Sequence, residues 1–353
     1  MKLTITPKRK NQYVSTYRYR QIDEASDECV STALICIRGS RFSGRFVPTM
    51  TVADVATLPE YRNRGLVREM LETAHKKARE YGAYVALLHP FSFDFYKKFG
   101  YERVSDTVSA TFPISVLDKL PDAPALVPIE EKYYDNVISL FREFSKNRNL
   151  MLDRYNISAF LRRKAETYLS FRDAELCGYI IVEKDEKENK LLVSEIVFLD
   201  NDALISLLAH LKAYHDFDTV EIADIEPIPE VYPILDGENV TYTSRGDLAA
   251  RILDTEALLS ANEYPSEHGE FTLDVKDTLP TVAGVFKVTY ENKKATVERL
   301  SDDTEADVTA DAPSLLRHIY GCEESTDGII FRGNAQDFLR AFPKRINGLF
   351  EHF

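Results

Sequence analysis

Residues 55–71 read VATLPEYRNRGLVREML, and the fold turns on this stretch. Its first residues end an apolar run, 46–58, that reads as a strand, and another strand-like run covers 29–38 before it. Residues 59–64 form a loop. From Gly65 to Tyr81 the apolar residues fall at Leu66, Val67, Met70, Leu71, Ala74 and Ala78, the spacing of a one-faced helix. Gly82 closes it as a helix-ending glycine would. Residues 84–88 are a short apolar strand stopped by Pro90. Strand, loop, helix, strand is a βαβ unit, so its two strands should run parallel.

The loop at Arg62-Asn63-Arg64-Gly65-Leu66-Val67 leaves a strand and opens a helix. The first amides of a helix lack internal partners, and the helix dipole places partial positive charge there. A pyrophosphate meets both needs, glycine lets the backbone come close to it, and two arginines add charge. A capped helix with solvated arginines explains the same residues, and one glycine with two arginines does not decide between the two.

Working outward, 353 residues exceed one hydrophobic core, so two or three domains are expected. Hydrophobic residues make up 44%, enough for several cores, yet no run reaches the roughly 18 apolar residues of a membrane span. Residues 1–12 are polar and lack the apolar centre of a secretory signal. Cys29, Cys36, Cys177 and Cys322 have no metal or CxxC spacing, which reads as free thiols in a cytoplasmic protein. A net charge of −13 argues against nucleic acid as a partner and suits a cationic substrate, although solubility alone also explains it.

Further along, 121–128 (PDAPALVP) is a proline-rich break. A helix follows with Val137, Ile138, Phe141 and Phe144 on one face. Strands at 167–172, 178–183 and 191–199, a helix at 203–214 and a strand at 219–223 repeat the strand–loop–helix–strand order. In this copy the loop is Asp200-Asn201-Asp202, acids where the first has arginine and glycine, so it reads as a structural copy without the anion site. The third segment reads as a helix around 249–258, a strand at 271–275, a hairpin of 285–290 with 295–300 turning at Asn292, a helix at 313–320 and a last helix from 335 to the chain end. That last helix would bury Phe338, Phe342, Ile346, Leu349, Phe350 and Phe353 on one side. The sequence contains no P-loop, HExxH, GxSxG or GxGxxG, and its seven histidines have no ligand spacing. His89 reads as a packing histidine at a strand end.

The string VATLPEYRNRGLVREML resembles motif A of the GNAT acetyltransferase superfamily, written R/Q-x-x-G-x-G/A. LLHPFSFDFYKKFGYE, residues 87–102, resembles the strand that follows it and the segment that brings the catalytic tyrosine. Together they resemble the Eis (enhanced intracellular survival) family, with a layout that agrees across nearly the whole chain. The resemblance implies an α/β chain of two tandem GNAT-like mixed-sheet domains and a C-terminal sterol-carrier-like domain: 1–120 binding acetyl-coenzyme A, 121–244 degenerate, 245–353 sterol-carrier-like. It implies acetyl-coenzyme A as cosubstrate and no metal. Val55, Ala56 and Thr57 would hold the acetyl carbonyl and the pantetheine arm. Arg62, Asn63, Arg64, Gly65, Leu66 and Val67 would hold the pyrophosphate, and Ser92 joins the cofactor set. Tyr96 would be the general acid, and the α-carboxylate of Phe353 the general base toward a primary amine. The family is oligomeric, often hexameric, so a homo-oligomer is implied, with neither nucleic acid nor membrane as partner.

Two departures bear on these expectations. Val67 stands where the motif has a third small residue. Residues 1–28 are too few for the strand and two helices that usually wall the acceptor site, so that pocket would be more open or completed by another subunit. The rival readings are a carrier of lipid or another apolar ligand with a vestigial transferase half, and an acyl-coenzyme A sensor without turnover. Retention of the first loop's arginines and glycine speaks against the carrier.

Overall fold

The structure is a computed structural model and describes residues 1–353 except 12, 123, 156–164, 323–325 and 352–353. The chain packs as two compact units, one of residues 1–105, 247–347 and 351–353, the other of 106–246 and 348–350.

The first unit opens with four antiparallel strands, β1 (Lys2–Lys10), β2 (Ser15–Asp23), β3 (Glu28–Phe42) and β4 (Arg45–Thr57). Residues 1–28 thus hold two strands, where the superfamily usually places a strand and two helices. Next come helix α1 (Leu66–Glu80), strand β5 (Val85–Leu88) and helix α2 (Phe93–Lys97). β4 and β5 pair in parallel from Thr49 opposite Val85 to Val52 opposite Leu88, as a βαβ unit requires. α1 lays Met70, Leu71, Ala74 and Ala78 against Ile35, Met50 and Val52 of the sheet. All four residues of β5 are buried, which explains their unbroken apolar run.

The strand Thr241–Ile252 joins this sheet, its residues 249–252 lying antiparallel to β5. The expected helix at 249–258 is therefore wrong in its first half; the helix is Thr255–Ala261, capped by the Asp254 carboxylate. Residues 248–252 are buried on both faces, and such a run has no alternation to separate strand from helix.

The same unit holds a second, five-stranded sheet, in the order Lys294–Arg299, Gly284–Glu291, Gly269–Lys276, Val308–Asp311, Ile329–Phe331. Helix Ala312–Tyr320 belongs to this part. The last helix is only Ala335–Ala341 and does not run to the chain end. Pro343 cannot continue a helix, and Ile346–Asn347 are extended. Phe338 and Phe342 do pack on Phe271, with ring centroids at 5.4 and 6.4 Å.

The second unit repeats the first one's logic. Strand Lys190–Phe198, helix Asn201–His210 and strand Thr219–Ile222 form a βαβ unit with parallel strands. Strands Glu166–Arg172 and Glu175–Asp185 extend the sheet, and helix Tyr134–Phe144 packs on it through Val137, Phe141 and Phe144. The fold is mixed α/β, with the βαβ unit occurring twice along the chain.

Candidate active site

Two local features of β4 and the following loop open a cleft. The first is a bulge. Thr32 of β3 pairs with Ala56 and Leu34 with Ala53, so Asp54 and Val55 together oppose Ala33 alone. Asp54 takes a left-handed φ of 49°. Arg18 pins its carboxylate at 2.9 Å. Because β5 pairs with β4 no further than Val52, residues 53–57 face β3 on one side and have no strand partner on the other among the described residues. Ser31 anchors the β3 side, its hydroxyl 2.7 Å from that of Thr57 and donating to the Ala56 carbonyl at 3.0 Å.

The second feature is the loop. Asn63 and Gly65 both have positive φ, 60° and 80°. Alternating left-handed residues turn successive amides to the same side, an anion-binding concavity. Gly65 is also the N-cap of α1, and no side chain caps that helix. Among the described residues, the α1 amides ahead of Glu69, whose N–H makes the first intrahelical bond to the Gly65 carbonyl, stay open. Tyr61 braces the loop by donating to Asp23 at 2.6 Å, which holds the Asp23 carboxyl below its usual range. Arg64 lies over the Tyr61 ring.

The corresponding helix of the second unit has the opposite arrangement. Its first turn is capped by its own Asp200, which accepts from the Ala203 amide at 3.0 Å and is paired with Arg172. A carboxylate supplied by the chain fills the place an external anion takes at α1.

The cleft holds about 720 Å³ and is lined by residues 55–57, 61–68, Phe91, Phe95, Lys98 and Phe99. It brings together Val55, Ala56 and Thr57 with Arg62, Asn63, Arg64, Gly65, Leu66 and Val67. The edge of β4 on one side of an anion nest and the start of α1 on the other, with room for a long polar chain, fit a pantetheine pyrophosphate. Arg68, Phe91, Phe95, Lys98 and Phe99 escaped the sequence reading, although the aromatic-rich FSFDFYKKF was the signal for them.

Ser92 and Tyr96 do not line this cleft. The Ser92 hydroxyl is the cap of α2 and accepts from the Phe95 amide at 3.3 Å. Tyr96 is 2% exposed and meets the cleft-lining rings of Phe91 and Phe95 edge to face, with centroids at 5.4 and 5.1 Å. Burial pushes its phenol up to about 12. Phe353 lies outside the described residues, but Glu351 is described. The Glu351 carbonyl oxygen is 3.3 Å from His89 Nε2, directly after the end of β5, and Nδ1 of the same ring is 3.2 Å from the Asp247 carbonyl. His89 therefore ties the chain's last described residue to the point where β5 stops pairing with β4.

Residues 6–104 match the family described as Acetyltransferase (GNAT) domain. The N-acetyltransferase Eis of Mycobacterium bovis is 26% identical over 249 residues, 65% of this chain and 62% of that relative's own length. Among solved structures, a GCN5-related N-acetyltransferase from Anabaena variabilis superposes with a TM-score of 0.82 at 19% identity, covering 96% of this chain and 89% of that one. Eis1 from Mycobacterium abscessus does so with a TM-score of 0.75 at 17% identity, covering 95% and 91%. These two likenesses show a shared fold. Residues 6–104 thus resemble a GNAT acetyltransferase domain, and the chain is similar to the Eis acetyltransferases at low identity.

Proposed function

We propose that this protein is an N-acetyltransferase that moves the acetyl group of acetyl-coenzyme A directly to a primary amine, on a cationic small molecule or a lysine side chain. The observation that carries this reading is the open, uncapped start of α1 beside the unpaired edge of β4, in a chain whose second copy of the same turn is plugged by Asp200.

The backbone at 55–57 holds the pantetheine arm as an added strand would, and one of its amides donates to the acetyl oxygen as negative charge develops there. The amides and side chains of 62–67 hold the pyrophosphate. The amine attacks the thioester carbon, the C–N bond forms and the C–S bond breaks. Tyr96 donates its proton to the leaving thiolate and recovers one from solvent. The Phe353 α-carboxylate takes the proton of the acceptor nitrogen. An ordinary terminal carboxylate is ionised at neutral pH and so can accept it. Support for placing the chain end here comes from Glu351, which is held at the end of β5 by His89.

In this reading residues 1–120 bind the cosubstrate, 121–244 are the degenerate copy, and 245–353 are a sterol-carrier-like domain that delivers the chain end. The protein works in the cytoplasm as a homo-oligomer. Thiol release from acetyl-coenzyme A with a panel of polyamines, amino sugars and lysine peptides tests the activity. Release with at least one amine is expected, and none with any amine would leave a sensor or carrier. The base is tested by adding one glycine after Phe353. This keeps the ring and moves the carboxylate by about 3.5 Å. Turnover should collapse while the melting curve holds, and normal turnover would remove the carboxylate from the mechanism.

A further inference from the structure

In each unit a tyrosine of the sheet meets a tyrosine just past the helix of the βαβ turn, at the helix's C-terminal end. In the first unit Tyr17 of β2 donates to the Tyr81 hydroxyl at 2.6 Å, and the two rings stack. The chain covers these rings with its own ammonium groups. Lys77, one turn before Tyr81, lies 6.0 Å from the Tyr17 centroid and 5.7 Å from that of Tyr81, and Lys10 lies 5.9 Å from the latter. In the second unit the pair is Tyr168 and Tyr214, and the residue one turn before Tyr214 is His210. Its ring packs on Tyr168 with centroids at 4.5 Å and meets Tyr214 edge to face at 5.8 Å. Burial lowers its pKa, so it is neutral near pH 7. Its Nε2 is buried and has no hydrogen-bond partner among the described residues. Where the first unit places a lysine, the second thus places an uncharged ring, beside a cavity of about 660 Å³.

We propose that this cavity of the second unit binds a linear polyamine, independently of acetyl transfer. Tyr168, His210, Tyr214 and Phe217 give it aromatic walls, which attract an ammonium group through their ring faces. Both phenols donate to the Glu166 carboxylate, at 3.0 and 2.8 Å, which enriches their rings in electron density. Lys184 already uses part of this wall, its ammonium 2.7 Å from Glu166 and 5.0 Å from the Tyr214 centroid. That pair cancels its own charge. Glu186 and Asp216 remain on the lining, exposed and without an ion pair among the described residues. The C-terminal end of helix Asn201–His210 adds the negative pole of its dipole. Aromatic faces with two further carboxylates suit a chain that carries several ammonium groups better than a single cation.

The test is titration calorimetry of the full chain at fixed ionic strength, without acetyl-coenzyme A, using spermidine and Nα-acetyl-lysine amide, which carries one ammonium group. Spermidine should bind about tenfold more tightly than the lysine amide, the factor carried by its additional charges. His210→Lys puts an ammonium where Lys77 stands in the first unit. It should weaken spermidine binding about tenfold, a loss that a purely structural role of the ring would not predict. Glu186→Gln with Asp216→Asn changes two exposed positions and should weaken spermidine about fivefold without lowering the melting temperature. A wild type that binds no spermidine, or binds the lysine amide equally well, would overturn the proposal. So would undiminished spermidine affinity in the Glu186→Gln, Asp216→Asn variant, since a polyamine held at the acceptor site of the first unit would not respond to these residues.

Discussion

Tyr96 keeps its proton far above neutral pH, because burial among Phe91, Phe95 and Tyr101 penalises the phenolate. A donor to a leaving thiolate must begin protonated, and this one does. Tyr96→Phe should lower kcat by about 10²- to 10⁴-fold, the usual contribution of a general acid, with acetyl-coenzyme A binding nearly intact. A phenylalanine variant within twofold of wild type would exclude Tyr96. The wild-type kcat should show no falling limb from this group below about pH 11. His75 gives a second, independent pH dependence. It is buried, its Nε2 2.9 Å from the Tyr101 hydroxyl, and burial together with the nearby Arg251 lowers its pKa to about 3. Unfolded, the ring takes a proton near pH 6.5. Between those values the unfolded chain binds the extra proton, so stability falls as pH drops. Melting curves at pH 7 and pH 4 should differ more for the wild type than for His75→Gln. Equal differences would mean that His75 carries none of the acid lability. At this scale the sequence displayed Tyr96 only through a family likeness. His75 sits at an ordinary helix position, and nothing in its neighbours along the chain indicates that Arg251, 176 positions away, will face it.

The βαβ unit around α1 was readable because two strong signals agree in it, the 3.6-residue stripe of Leu66 to Ala78 and the strand-ending Pro90. The bulge at Asp54 and Val55 was not readable. It arises from register against β3, and neither residue is a glycine that would mark it. The strand 241–252 was missed because Ala249, Ala250 and Ile252 are covered on both faces. The chain's final helix was drawn too long because Phe338, Phe342, Ile346 and Phe350 keep helical spacing across Pro343, and the helix ends at Ala341, just before that proline. Two glycines at the ends of α1 separate helix stability from function. Gly65 and Gly82 have φ of 80° and 75°, and a β-carbon at either meets nothing within 4 Å. Alanine at either site should therefore cost stability through backbone strain alone, about 1–2 kcal/mol. Only Gly65→Ala should also weaken acetyl-coenzyme A binding, by disturbing the nest. Equal affinities for the two variants, measured by titration calorimetry, would show that the nest does not hold the cofactor.

For the molecule as a whole, the sequence repeat announced two βαβ turns, and the structure gives them opposite chemistry. One start of helix is left open by Gly65, and the other is closed by Asp200. That difference was legible in the loop residues, PEYRNRG against DND, because capping is a local matter. The grouping of residues 247–347 with the first 105 was not, since long-range packing leaves no periodic trace in sequence. The central claim is that the cleft between β4 and α1 binds acetyl-coenzyme A. It is tested most directly by thermal unfolding of the whole protein with and without acetyl-coenzyme A, beside an Arg62→Glu, Arg64→Glu variant. At a hundredfold excess over the dissociation constant, the wild type should gain about 2.7 kcal/mol and the charge-reversed variant almost nothing. Equal stabilisation of the two proteins would place the cofactor somewhere other than this cleft.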